Sequence, residues 1–188
     1  MQSPARWRWS GMAALRPGPL TTTTASAKAS LHAIARRWLD LDAEIKAHDV
    51  HIGRMAEWRA PEMVAAHGIG AATAAEMLVL VGDDPQRIRS EAAFARLCGA
   101  RPIPASSGKT SRHRLNRGGH RQANAALHRV VVVRMRTHQP TLDYVRRRTA
   151  EGKTKREIIR CLKRFVAREI FGHLRRSPKP IRPEQIGA

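Results

Sequence analysis

Acidic residues are scarce in this sequence: 15 Asp and Glu face 35 Lys and Arg over 188 residues, a formal net charge of +20. Between Glu91 and Asp143 they vanish, while ten bases remain: Arg96, Arg101, Lys109, Arg112, Arg114, Arg117, Arg121, Arg129, Arg134 and Arg136. Such a surplus repels itself unless a polyanion supplies the counter-charge. Nucleic acid is the expected partner, because each phosphate neutralised releases condensed counterions. Aromatic residues make up only 4% of the chain. That argues against an anionic membrane surface, which asks for large apolar side chains opposite a basic face. No apolar run approaches the roughly 18 residues of a membrane span. The N-terminal apolar stretch from Gly11 to Leu15 is broken by Arg16 and Pro17 too early for a signal peptide. A cytoplasmic, nucleoid-associated location is expected, with no membrane partner.

Cysteine is equally sparse. Cys98 and Cys161 stand far apart in apolar helical patterns, so neither a zinc site nor a disulfide framework is expected, only small buried residues. The few acids are scattered, and Asp83-Asp84, the one tight pair, adjoins Pro85 and reads as a turn. Metal-dependent strand cleavage needs converging carboxylates, so no metal site and no cofactor are expected within this chain. Strand signal is almost absent: Val130–Val133 sits inside a helical pattern with Ala123 and Leu127. The expected fold is all-α, a long N-terminal amphipathic helix followed by a compact helical domain.

What is present can be read in order. Residues 1–27, with Pro4, Pro17, Pro19 and a threonine run, read as an irregular, disordered leader. Over 28–58, Leu31, Ile34, Trp38, Leu41, Ile45, Ile52 and Met55 recur at helical spacing. This connecting helix needs a partner for its stripe, either its own domain or another chain. Residues 59–174 hold the helical domain. Pro61 opens a short helix that stops at Gly68-Ile69-Gly70; a second runs from Ala71 to about Leu80, and Ser90 caps a third that Gly99 closes. Residues 100–119 read as a loop, followed by a helix from His120 to Thr137 that stops at Pro140. Thr154 and Glu157 form a capping box for the last helix, whose stripe is Ile158, Ile159, Leu162, Phe165, Val166, Ile170 and Phe171. The tail, 175–188, reads as disordered.

Two segments carry chemistry. Helices joined by Gly68, Ile69 and Gly70 have the helix-hairpin-helix pattern: glycines admit a phosphate to the backbone, and the second helix aims its free N–H groups at it. Ile69 would tuck between the helices. A tight turn without a ligand is the alternative, since glycine ends many helices. In the second segment, Ser106 and Ser107 precede Gly108, Lys109, Arg112, Arg114, Arg117 and Arg121. A serine attacking a phosphodiester needs an exposed hydroxyl, a base and cations around the developing charge. His113 or His120 could take the proton. The alternative is a loop whose serines only hydrogen-bond phosphate oxygens.

The stretch from about Ala60 to about Phe171 resembles the C-terminal domain of the IS-one-ten, or DEDD, group of insertion-sequence transposases. The likeness rests on the Gly68–Gly70 turn, the Asp83-Asp84-Pro85 run, Pro102 ahead of Ser106-Ser107-Gly108, and Arg117-Gly118-Gly119 followed by Arg121, Asn124, Leu127 and His128. It implies a DNA-transposition protein whose serine, by position Ser107 with Ser106 beside it, attacks DNA covalently. The bases Arg112, Arg114 and Arg117 fall where the family keeps basic residues. It implies DNA as partner, and an element-encoded guide RNA in some members. Family members also carry an N-terminal RuvC-like domain whose acids bind Mg²⁺. No such domain is recognised here, so Mg²⁺ is expected only with a separate RuvC-like chain, which could pair through the 31–55 helix as a second copy could. By resemblance the chain is part of a recombination enzyme that does not act alone. The rival reading is a catalytically inert fragment that only binds nucleic acid.

Overall fold

The computed structural model describes residues 4–104, 113–114, 116 and 118–176; of residues 4–7, 85, 104, 113 and 114 it describes the backbone alone. The chain divides into two units, Met1–His51 and Ile52–Ala188, with one long helix running through the division.

In the first unit, α1 (Pro4–Ala13) precedes the start of α2 (Thr23–Arg59). The sequence reads as an irregular leader here, and the structure corrects that reading for its helical stretches. Trp9 stacks on Trp38 with ring centroids 5.6 Å apart, a contact between distant residues that local composition does not reveal. Thr22 caps α2, its hydroxyl accepting from the N–H of Ala25 at 3.1 Å. Beyond that point α2 leaves Leu31, Ile34, Leu41, Ile45, Ile52 and Met55 exposed.

The second unit contains α3 (Pro61–Ala65), α4 (Ala71–Val81), α5 (Glu91–Leu97), α6 (Arg121–Thr137), α7 (Gln139–Ala150) and α8 (Lys155–Arg176). Helices α6 and α8 pack on each other, α4 and α7 lie against α6, and α3, α5 and α7 lie against α8. The sequence dictates this through α8, where Ile158, Leu162, Val166, Ile170 and Leu174 form one buried row at four-residue spacing. Thr154 and Glu157 start the helix reciprocally: the Glu157 carboxylate accepts from the Thr154 N–H at 2.9 Å, and the Thr154 hydroxyl accepts from the Glu157 N–H at 3.4 Å. Phe165, expected on the buried stripe, is 47% exposed and meets Tyr144 edge-on. Helix α7 was not expected. Pro140 lies in its first turn, where the missing N–H costs nothing, so the residue that ends one helix opens the next.

The expected loop 100–119 is not wholly irregular. Ile103–Pro104 (β1) pairs antiparallel with His113–Arg114 (β2), Ile103 opposite Arg114. This two-residue ladder leaves the fold all-α. The expected disordered tail lies outside the described residues beyond Arg176. No helix among the described residues is long and apolar enough to cross a membrane.

The least expected core component is a cation. Arg134 on α6 is 7% exposed. Its Nε donates to the carbonyl of His67 at 2.7 Å, and its two terminal nitrogens donate to the Glu169 carboxylate on α8 at 2.6 and 2.8 Å. These hydrogen bonds offset the loss of water around the guanidinium. Hydrogen bonding to Arg134 holds the Glu169 carboxyl below its ordinary range. Glu169→Gln should therefore lower stability by about 3 kcal/mol, since it strands a buried charge. Urea unfolding at neutral pH checks this. Because the folded pKa of Glu169 is depressed, its contribution is complete above the unfolded carboxylate range near pH ~4.3 and disappears as pH falls through the folded value. The variant should accordingly show a flatter loss of stability at acid pH than the parent.

Candidate nucleic-acid interface

The Gly68–Gly70 turn is built from the inside outward. Gly68 has φ +79°, a left-handed conformation that side chains avoid, and a Cβ there would meet Cγ of Arg134 at 3.3 Å. Ile69 is 2% exposed and anchors the turn in the core, as its place between two glycines predicts. Gly70 is the N-cap of α4, extended at φ −81° and ψ 168°, with no side-chain cap and nothing within 4 Å of where a Cβ would stand. The first turn of α4 thus leaves its backbone N–H groups without a side-chain cap, at the positive end of the helix dipole. His67 continues the support. Its ring stacks on His138 at 5.1 Å, and its Nε2 lies 2.9 Å from the Thr137 hydroxyl.

The base of the second segment is also closely built. Helix α5 ends in a Schellman arrangement: the N–H of Gly99, at φ +66°, bonds the Arg96 carbonyl at 3.0 Å, and that of Ala100 bonds the Ala95 carbonyl at 2.8 Å. The next carbonyls are satisfied by the chain entering α6. Leu97 accepts from the His120 N–H at 2.7 Å, while Cys98 and Gly99 accept from Asn124 Nδ2 at 2.9 and 3.0 Å. Lys163, 7% exposed on α8, donates to Asn124 Oδ1 at 2.7 Å. Gly119 lies against Gly99 so closely that a Cβ on it would fall 2.2 Å from the Gly99 Cα. The chain therefore leaves and re-enters the domain at one point, with β1 and β2 between.

Of the residues singled out in the sequence, the structure brings Gly68, Ile69 and Gly70 into one turn and puts Arg121 exposed in the first turn of α6. Ser106, Ser107, Lys109, Arg112 and Arg117 lie outside the described residues, and of Arg114 and His113 only the backbone is described, in β2. His120 has a local duty as the N-cap of α6, its Nδ1 accepting from the N–H of Ala123 at 3.3 Å. Asp84 makes the expected turn, accepting from the N–H of Gln86 at 2.9 Å. Cys98 is fully buried, and burial pushes its thiol up to about 12, which makes it inert; Cys161 is only half-buried.

The uncompensated charge needs revision. Two of the ten bases are matched in space: Arg129 pairs with Glu76 at 2.6 Å, and Arg134 with Glu169. Arg96, Arg101, Arg121 and Arg136 remain exposed without an ion pair among the described residues. Sequence reasoning also missed the supporting residues Arg134, Asn124 and Lys163. A signal existed for the last, a lysine directly after Leu162 on the buried side of α8. Among the described residues no group of three or more His, Cys, Asp or Glu side chains converges as a metal site, and Glu62, Glu76, Glu91, Asp143, Glu151 and Glu169 each face Arg or His instead.

Residues 64–146 match the family model described as the transposase IS116/IS110/IS902 family, a span that contains the hairpin turn, α4 to α6 and most of α7. No curated protein matches the chain.

The two glycines separate stability from access. Gly68→Ala should cost roughly 1–2 kcal/mol because of its positive φ, whereas Gly70→Ala should cost under about 1 kcal/mol as an N-cap change without a clash. Thermal unfolding of the two variants checks the order. His138, whose pKa is lowered by burial and then by Arg134 and His67, resists protonation in the fold. Its contribution is present above the unfolded value of about 6.5 and declines as pH falls below it, so His138→Gln should flatten the stability profile there.

Proposed function

We propose, from the match of residues 64–146 to the transposase IS116/IS110/IS902 family, that this chain is the DNA-handling part of an insertion-sequence transposase. In this reading the Gly68–Ile69–Gly70 turn and the basic segment from Arg101 to Arg121 grip the sugar–phosphate backbone. The observation that carries it is the open, uncapped N-terminus of α4 behind Gly70, with the exposed Arg136 next to Thr137, whose hydroxyl meets His67. A phosphate there would receive backbone N–H donors and the favourable end of the helix dipole.

Ser107, with Ser106 beside it, is the nucleophile of this proposal. Its Oγ forms a bond to a DNA phosphorus while the bond to a deoxyribose oxygen breaks; the serine proton passes to a base, and the leaving oxygen takes up a proton. Lys109, Arg112, Arg114 and Arg117 would balance the charge on the phosphorane. Among the described residues no group of three or more His, Cys, Asp or Glu side chains converges to hold a divalent cation, and no step here is routed through Mg²⁺. A RuvC-like domain on the same element would bring that ion with its own acids. An element-encoded RNA would be read, where present, on the same basic surface.

Helix α2 supports one further partner. Leu31, Ile34, Leu41, Ile45, Ile52 and Met55 are exposed, and their spacings of three, seven, four, seven and three residues place them on the two seam positions of a heptad. We take the occupant to be a second copy of the chain. Sedimentation should show a dimer that Ile34→Glu with Ile45→Glu converts to monomer; a monomeric parent at every concentration would remove this assignment.

The main test uses double-stranded DNA over a salt series. Arg114→Ala and Arg117→Ala should each weaken binding and reduce the salt slope by about 1, and Gly70→Ala should weaken it with little loss of stability. Unchanged affinity in all three would refute the grip. For the nucleophile, nicked suicide DNA is incubated with the chain, with and without a RuvC-like domain. A covalent adduct should form and be lost in Ser107→Ala. Loss in Ser106→Ala alone would move the role by one residue, and binding without any adduct would leave a DNA-binding module only.

A further inference from the structure

Helix α7 covers the seam between α6 and α8 with few apolar groups. Thr141 is its one buried residue, and Tyr144 and Val145 are half-buried beside it. Val131 on α6 and Leu162 and Val166 on α8 are buried against them. So light a cover leaves a cleft of about 220 Å³ over that apolar floor, walled by Tyr144 and Phe165. Phe165 stays 47% exposed, although it belongs to the apolar stripe of its helix.

The chemistry of the cleft restricts what it can take. Its size falls below the roughly 300–1,000 Å³ of sites for drug-sized ligands, so it suits a single flat ring system. The two aromatic walls meet at 83° with centroids 5.5 Å apart, a corner in which a third ring can lie parallel to one and edge-on to the other. The polar lining groups are already engaged within the protein. Arg134 bonds Glu169 and the His67 carbonyl, and His138 Nδ1 lies 2.8 Å from the Thr141 hydroxyl. An occupant is therefore selected by flatness and area, not by a hydrogen-bond pattern. Charge beside the aromatic wall is positive. Arg146 and Arg148 pair with Asp143 and Glu151. Arg147 is exposed without an ion pair among the described residues, and its guanidinium stands 5.4 Å from the Tyr144 ring centre. A flat ring joined to an anion complements this arrangement.

We infer that the cleft between α6, α7 and α8 holds one unpaired nucleobase, stacked on Tyr144 and Phe165, with the adjoining phosphate on Arg147. The inference rests on the proposed DNA-handling role and adds to it a contact with a base, which a grip on phosphates does not make. A paired base cannot enter, because it must first leave the stack. Stacking on aromatic side chains tolerates every base, since each has a π-face. The cleft thus favours bulged, looped or frayed strands whatever their sequence.

The test compares three DNAs in titrations of the full-length chain: a fully paired duplex, the same duplex with one unpaired thymine, and that bulge without its base. The thymine bulge should bind about tenfold tighter than the other two. Phe165→Ala removes one wall from a half-exposed position, and Val166→Phe fills the cleft from its floor. Either should bring the bulged duplex down to the affinity of the paired one. Thermal unfolding confirms that both variants fold, and Phe165→Ala serves alone if the overpacked one does not. With 5-iodouracil at the bulge, ultraviolet light should join the base to Tyr144 or Phe165, as read by mass spectrometry of the peptides.

Equal affinity of the parent for all three DNAs would overturn the base site and leave the phosphate grip standing. A preference that survives in folded Phe165→Ala and Val166→Phe, or crosslinks confined to other residues, would overturn it equally. Loss of self-association in Phe165→Ala with the preference intact would assign the cleft to a second copy of the chain instead. If the parent binds none of the three DNAs, the DNA-handling role itself fails and takes the base site with it.

Discussion

A buried guanidinium organises the second unit. Arg134 reaches from α6 to a backbone carbonyl in the turn before α4 and to a carboxylate on α8, so one side chain ties three segments. Its planar fork allows this: Nε serves one partner while the two terminal nitrogens serve another, which a lysine could not do with the same geometry. The turn depends on it directly. Gly68 is strained for any other residue by its φ of +79°, and a Cβ there would also press on the Arg134 stem at 3.3 Å, while Ile69 fills the core beside it. The hairpin that faces solvent at Gly70 is thus held from within by a charge that solvent hardly reaches.

The base of the basic segment follows the same logic with a different cation. There Lys163 on α8 orients Asn124 on α6, and the amide satisfies the last carbonyls of α5. In both places an interior base from the central helix pair supports a glycine-bearing bend at the surface. Backbone carbonyls exposed by a helix end or a tight turn need donors, and in this alanine-rich unit long basic side chains are at hand to supply or organise them. The chain therefore uses its bases in two ways. Some are consumed as internal hydrogen-bond donors; others, such as Arg96, Arg101, Arg121 and Arg136, stand exposed.

Much of the helical framework could be read from residues alone because its determinants are local. The Thr154–Glu157 box, the Ser90 cap, Gly82 and Gly99 after their helices, and the four-residue row from Ile158 to Leu174 each act within a turn or two of chain. Helix α7 escaped notice because Pro140 signals an end and a beginning equally well. Helix α1 escaped because a tryptophan stack with Trp38, not local patterning, accompanies it. Of the candidate site, the hairpin was legible as a pattern of glycines around an apolar residue, and the serine and its neighbouring bases as a composition. Their supports were not.

The sequence by itself determined the ends of most helices other than α1 and α7, most of their apolar faces, and the chemical character of two glycine-bearing bends, since each follows from residues adjacent along the chain. Only tertiary structure decided which bases are spent inside. Arg134 looks as free as Arg136 in a stretch without acids, until Glu169, 35 positions away, and the carbonyl of His67, 67 positions away, are brought to it. Charge balance is a property of space, because Coulombic and hydrogen-bonding partners are selected by distance through the fold and not by separation along the chain.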